Sequence, residues 1–316
     1  TFHNNSMENH TEVTEFVLEG FEDEANTQLV LLILFLVMYI ITFMGNAGMT
    51  IITSVDSHLH TPMYFFLKNL SFLDICYSSV ITPKAMVTLA SGSKLISYKG
   101  CATQMFFFSL FGTTEAFFLA VMAYDRFTAI CSPLLYHTIM SKKICICLMG
   151  VSYLFGFVNC CTQTGFTFSL SFCEPTKINH FFCDVPAVIK ASCSDTFVNE
   201  LVLLVLCGFI IVTTAVIVIV SYAYIVTTIL HMPSVKGRYK AFSTCTSHLM
   251  AVSLFFGTVF FMYAQPGGMS SPNQGKVMSV FYTIVIPMLN PLIYSLRNKE
   301  VKEALKRQFG RKGFAL

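Results

Sequence analysis

The chain has 316 residues, of which 54% are hydrophobic and 12% charged, with 32 Phe, no Trp and a net charge of +3. A water-soluble domain carries about a quarter charged residues, so this composition excludes one and points to a membrane protein. The small positive surplus is a topology signal rather than a nucleic-acid footprint.

Residues 1–24 hold seven acids and no Lys or Arg. They read as a polar extracellular tail, not as a basic-headed signal peptide. Asn4 in "NNS" and Asn9 in "NHT" are glycosylation sequons there. The uncharged run 25–55 is long enough to cross roughly 30 Å of hydrocarbon, which takes about 20 apolar residues in a helix. A second span is expected over 62–87, interrupted by Lys68, Asp74 and Lys84, and a third over 98–131, interrupted by Glu115, Asp125 and Arg126. Uncharged stretches at 144–173, 201–235, 241–275 and 277–296 supply four more. Transmembrane strands would show alternating segments of about ten residues instead. The tail "NKEVKEALKRQF" sets Val301, Leu305 and Phe309 four apart among basic residues, the pattern of a short helix lying in the interface. The expected fold is an all-α membrane protein. It comprises an extracellular tail (1–24), a seven-transmembrane helix bundle (25–297) and a cytoplasmic interfacial helix with its tail (298–316).

Charge asymmetry orients the bundle. Arg297, Lys299, Lys302, Lys306, Arg307, Arg311 and Lys312 follow the last span, and Lys142, Lys143, Lys236, Arg238 and Lys240 fall in loops on the same side. The positive-inside rule makes that side cytoplasmic. Of the twelve cysteines, Cys101, Cys173, Cys183 and Cys193 then face an oxidising compartment. Four cysteines there suggest two disulfides, with three pairings open. The other eight read as small packing residues. His180 and Cys183 in "HFFCD" suggest a metal only if Cys183 is a free thiolate.

An ionisable residue at the centre of a membrane helix costs about 2.5–3.5 kcal/mol, which marks Asp74 and Glu115 as candidates for function. With Asn46 and Asn290 they could form a buried cluster that traps a proton, holds a cation such as sodium, or simply packs through hydrogen bonds. Asp125 and Arg126 lie where the third span meets the cytoplasm. Adjacent opposite charges there can neutralise each other until Arg126 is released towards a partner.

"GNAGMTI" (45–51), "LHTPMYFFLKNLSFLDICYSS" (59–79), "MAYDRFTAIC" (122–131), "SYAYI" (221–225), "KAFSTCTSHL" (240–249) and "PMLNPLIYSLRN" (287–298) occur in this order. Together they resemble the olfactory receptor family of rhodopsin-like G-protein-coupled receptors, over about residues 14–309. The resemblance implies an acid–arginine switch at Asp125 and Arg126, and a seventh-helix hinge at Asn290, Pro291 and Tyr294. It implies a mobile Tyr222, with Arg238 and Lys240 at the coupling surface, and a sodium ion held by Asp74 and Glu115. It chooses the pairings Cys101–Cys183 and Cys173–Cys193. Two departures stand out: Phe127-Thr128 replaces the usual Tyr-Val, and Phe256 stands where many rhodopsin-like receptors carry a toggle Trp.

Helical spacing, together with the family's usual pocket position, places the ligand among Met105, Phe108, Ser109, Gly112 and Thr113 of the third span. Leu203, Leu206, Cys207 and Ile210 of the fifth complete one wall, with Phe256, Val259, Phe260 and Tyr263 of the sixth and Val280 and Thr283 of the seventh. No acid stands at Phe108 to favour an amine, and no base lies near Gly267 to favour a carboxylic acid. The implied ligand is a small, mostly neutral volatile odorant. The implied partners are the lipid bilayer and a heterotrimeric stimulatory G protein that raises cyclic AMP, in the plasma membrane of olfactory cilia. No cofactor beyond sodium is expected. A non-olfactory receptor of the same fold, for a small lipid-like or peptide ligand, is the alternative. Nothing suggests a transporter, an opsin or an enzyme.

Overall fold

The computed structural model describes residues 13–21, 24–263 and 272–312, with several side chains near the ends of the sixth and seventh crossings, and beyond Gln308, left outside the description. The first crossing, α1 (Ala25–Val55), shows its apolar outer face to lipid, with Leu29, Ile33, Val37 and Ile51 exposed. An exposed apolar stripe is stable only because hydrocarbon is the solvent. The second, α2 (Pro62–Ser91), begins with Pro62, whose fixed φ suits a first turn, and stops at Gly92 in the left-handed region (φ 69°). The third, α3 (Tyr98–Cys131), is the bundle's central and most buried helix.

A short cytoplasmic turn, α4 (Tyr136–Ile139), leads to the fourth crossing, α5 (Lys142–Phe168). The long outer loop carries the small helix α6 (Val185–Lys190). The fifth and sixth crossings are α7 (Phe197–His231) and α8 (Val235–Tyr263). The seventh is continuous through α9 (Pro272–Val280), a π-helical turn (Phe281–Val285) and α10 (Ile286–Arg297). Last comes α11 (Lys299–Lys312).

Six of the crossings are apolar enough to be identified as spans by hydropathy, and α2 is the exception. Its charges are kept from lipid in three ways. Asp74 is buried in the bundle, Lys84 Nζ reaches Leu95 O at 2.7 Å on the outer side, and Lys68 lies near the inner end.

The outer face holds a feature the sequence reading did not anticipate. Strand β1 (Glu15–Leu18) pairs antiparallel with β2 (Leu95–Ser97) and parallel with β3 (Lys177–Ile178). Its alternating Phe16 and Leu18 are buried among Ile96, Ile178 and the Cys101–Cys183 bridge. Residues 15–18 of the extracellular tail therefore pack onto the outer loops of the bundle.

Helix α11 docks through Val301 and Ala304, both fully buried, with Leu305 beside them. The Phe309 side chain lies outside the described residues. Arg307 donates to Asp56 Oδ2 at 2.9 Å, and Tyr64 joins the two elements by donating to Glu300 at 2.7 Å while accepting from Asn298 at 2.8 Å.

The crossing of α3 and α5 is close because Gly156 has no side chain. A Cβ there would stand 2.8 Å from Leu110 O and closer still to Thr114 Oγ1. Small residues at such contacts let membrane helices approach. Gly156→Val is expected to cost at least about 1–3 kcal/mol of packing and to lower surface expression sharply; normal expression and thermal stability would disprove the close-packing account.

Candidate ligand cavity and cytoplasmic switch

In the outer half of the bundle α3, α5, α7 and α8 enclose a cavity of about 140 Å3. Phe108, Ser109, Gly112 and Thr113 line it from α3, Leu203, Cys207 and Ile210 from α7, and Val259 from α8. The other expected contacts are elsewhere. Met105 is sealed against the Cys101–Cys183 bridge, and Val280 packs with the Phe181 and Phe182 cluster. Thr283 is buried and donates to its own helix at Ser279 O. Leu206 is half-buried outside the lining, and Phe260 is 73% exposed on the lipid side. Phe256 packs with the inner cluster while its neighbour Phe255, turned about 100° round the helix, takes the cavity wall. The Tyr263 side chain lies outside the described residues.

The polar lining is where sequence reasoning fell short. Asn159 and Gln163, one turn apart on α5, face the cavity although neither was assigned to it. Asn159 Nδ2 donates to Thr113 Oγ1 at 2.9 Å. Asn159 Oδ1 and Gln163 Nε2 are buried with no protein partner. A legible signal existed: Ser152, Gly156, Asn159, Gln163 and Thr167 form a small and polar stripe at helical spacing on an otherwise apolar span.

Above them hangs Asp184, beside Cys183 in the outer loop. Gln104 of α3 fixes this loop: its Oε1 accepts from Cys183 N at 2.9 Å while its Nε2 donates to Val80 O at 3.1 Å. The Cys101 and Cys183 sulfurs are bonded at 2.03 Å, and Cys173 and Cys193 form the second bridge. Burial pushes the Asp184 carboxyl up to about 7, with a backbone hydrogen bond from Val185 partly opposing it. The expectation of no acid rested on Phe108; the outer loop brings one from another direction. The metal reading of "HFFCD" needed a free Cys183 thiolate, and Cys183 is in a disulfide. Burial, with Lys276 nearby, holds the His180 imidazole down to about 3, so it is neutral, and its Nε2 bonds to Ser279 Oγ at 2.9 Å.

Deeper in the bundle, Asn290 Nδ2 donates to both Asp74 oxygens at 3.2 and 3.1 Å. Glu115 Oε1, Asn290 Oδ1 and Tyr294 Oη are buried without partners close by. Two carboxyls and unspent oxygens form a donor set that fits a sodium ion or a shared proton. Asn46 does something else. Pro291 has no N–H to offer Pro287 O one turn earlier, and Asn46 Nδ2 donates to that carbonyl at 2.9 Å instead. Gly45 makes the approach feasible, since a Cβ there would stand 2.9 Å from Pro291 Cγ.

At the cytoplasmic end, Asp125 and Arg126 are both buried but form no ion pair within 4 Å, because successive helix residues point apart. Asp125 instead accepts from Tyr136 Oη of α4 at 2.8 Å. The Arg126 Nε has no partner. Tyr222 is held by His248 of "KAFSTCTSHL", a residue the motif contained but the reading left without a role. His248 Nε2 lies 3.1 Å from Leu119 O and Nδ1 lies 2.7 Å from Tyr222 Oη. A carbonyl only accepts, so Nε2 carries the proton and Nδ1 accepts from Tyr222. One imidazole thus ties α8 to α3 and α7. Arg238 is half-buried at the inner end of α8, and the Lys240 side chain lies outside the described residues.

Comparison with known proteins places this arrangement. A model of the olfactory receptor family matches residues 35–312. The human olfactory receptor OR9H1 is 60% identical over 301 residues, covering 95% of this chain and 98% of the relative. The mouse olfactory receptor 9S13 is 56% identical, covering 96% and 92%. Squid rhodopsin, at 18% identity, superimposes with a TM-score of 0.68 over 92% of this chain and 88% of its own, which shows a shared seven-helix fold. The chain belongs to the olfactory receptor family: it is a multi-pass membrane receptor and not an enzyme.

Proposed function

We propose that the receptor binds a small, mostly neutral volatile in the outer cavity and activates a stimulatory G protein, raising cyclic AMP in olfactory cilia. The observation that carries the ligand reading is the buried pair of unspent groups, Asn159 Oδ1 and Gln163 Nε2, on an otherwise apolar wall. A cavity of about 140 Å3 is below the roughly 300–1,000 Å3 that drug-sized ligands occupy. That disfavours a peptide and suits a compact molecule with one polar group. A cyclic-AMP assay against a chemically diverse odorant panel tests the proposal, with Gln163→Leu as the control. An agonist that uses Gln163 should lose about 1–3 kcal/mol of affinity; equal potency on both receptors for every agonist refutes the contact.

Asp184 adds a pH dependence. Below about 7 its carboxyl is protonated and donates a hydrogen bond to a carbonyl odorant; above, it is an anion that only accepts. Potency of a neutral carbonyl agonist is therefore expected to fall as external pH rises through about 7, and Asp184→Asn should flatten the curve. An amine agonist should show the opposite trend while it stays protonated. Identical profiles for the two receptors rule Asp184 out as a contact.

Sodium belongs to the proposal as well. With Asp74 and Glu115 as its carboxylate ligands it would stabilise the closed bundle. Glu115→Gln is then expected to weaken sodium's suppression of basal signalling, and a native receptor whose basal signal ignores sodium removes the ion from the scheme.

A further inference from the structure

A second and larger cavity, about 460 Å3, lies on the cytoplasmic side between the start of α2 and the start of α5. Its lining includes Lys68, Lys142, His60 and His137 and no Asp or Glu. Lys68 is half-buried and has no ion-pair partner among the described residues. The nearby acid Asp56 is not in the lining and is already engaged by Arg307 and His58.

Two helices begin at this cavity, and neither start has a side-chain cap. Thr61 precedes α2 and Ser141 precedes α5; both line the cavity, neither makes a side-chain cap, and neither helix has an acid in its first turn. Their positive dipole ends, without a capping side chain or a first-turn acid to offset them, add to the lysines. The concentration of positive charge in an acid-free recess calls for an anion, and phosphate oxygens match both the helix starts and the ammonium groups.

The surroundings select the form of that phosphate. Lys68 stands six residues into α2, roughly 9 Å along the helix, at the depth of a membrane interface. One turn further, on the same face, Phe72 is 53% exposed to lipid; one turn beyond Lys142, Ile146 is 46% exposed. A basic recess that opens upward onto apolar, lipid-facing side chains fits a headgroup below and acyl chains above.

We propose that this recess is a binding site for an anionic inner-leaflet phospholipid bearing a phosphomonoester headgroup, held by Lys68, Lys142 and the first turns of α2 and α5. The bound lipid would bridge the first cytoplasmic loop to the second, which carries Tyr136 and its bond to Asp125, and so join the membrane's composition to the closed state of the switch.

The test uses the full receptor in nanodiscs of phosphatidylcholine with or without phosphatidylinositol bisphosphate, and counts retained lipid by native mass spectrometry. The native receptor is expected to retain the phosphoinositide. Lys68→Gln with Lys142→Gln should reduce retention roughly tenfold or more, whereas Lys302→Gln with Lys306→Gln, the same charge loss on α11, should not. Equal loss from both pairs means diffuse attraction to the membrane and overturns the site. Soluble inositol phosphate displacing the lipid at matching concentration overturns the lipid assignment in favour of a free phosphate ligand. If the glutamine pair unfolds in phosphatidylcholine alone, Lys68→Arg with Lys142→Arg decides: it should keep the lipid, and losing it counts against the site.

Discussion

Arg126→Ala is expected to abolish odorant-evoked cyclic AMP while the receptor still reaches the surface and still binds ligand. Arg126 is 7% exposed, its Nε is unspent, and the hydroxyls of Tyr64, Tyr222 and Tyr294 lie within its electrostatic reach. On the proposed switch, this guanidinium with its unspent Nε would meet carbonyl or carboxylate acceptors of an incoming partner. An outward swing of α8 that opened the way to them would break the His248 bonds to Leu119 and Tyr222. Tyr136→Phe works the other way. It strips Asp125 of its short hydrogen bond, worth about 1.5–3 kcal/mol when the acceptor is charged, and should raise basal signalling. Robust odorant responses from a well-expressed Arg126→Ala receptor would contradict the assignment.

The second large effect is on folding. Cys183→Ser should leave little receptor at the surface, because it removes a bridge closing 82 residues. Losing such a bridge costs about 2–5 kcal/mol. The loss is also local: Cys101 and Cys183 are fully buried among Phe16, Met105 and Ile178, and the loop beyond them carries Asp184. Cys193→Ser, at the more peripheral bridge spanning 20 residues, should be milder. Peptide mapping without reduction checks the pairing, and a Cys101–Cys173 peptide would rule it out.

Much of the fold was legible because lipid imposes a crude code. Long uncharged runs must be helices, and the basic loops orient them. The site was legible in part. Phe108, Ser109, Gly112 and Thr113 share one helical stripe, so a single correct element sufficed to place them. Phe255 was exchanged for Phe256 because one residue's register on α8 turns a side chain from cavity to core. Asp184 and the Tyr136–Asp125 bond were out of reach, since both join residues from loops whose paths no periodicity specifies. The same holds for β1, four residues whose pairing partners lie about 80 and 160 positions away in the chain.

That strand has a use in the laboratory. Val17 N donates to Thr176 O at 3.0 Å, Leu18 N to Lys94 O at 2.8 Å and Glu19 N to Ile178 O at 2.8 Å. Amide protons near a chain terminus normally exchange with heavy water almost at once, but these three can do so only when the outer sheet opens. From Ile178 the backbone runs within six residues to Asp184 at the cavity roof. An odorant bound as proposed would grip that roof and stiffen the strand it hangs from, so deuterium uptake at Val17 and Glu19 should slow on binding. A segment that never touches the ligand thereby reports occupancy of the cavity without a radiolabel, a fluorophore or a coupled G protein.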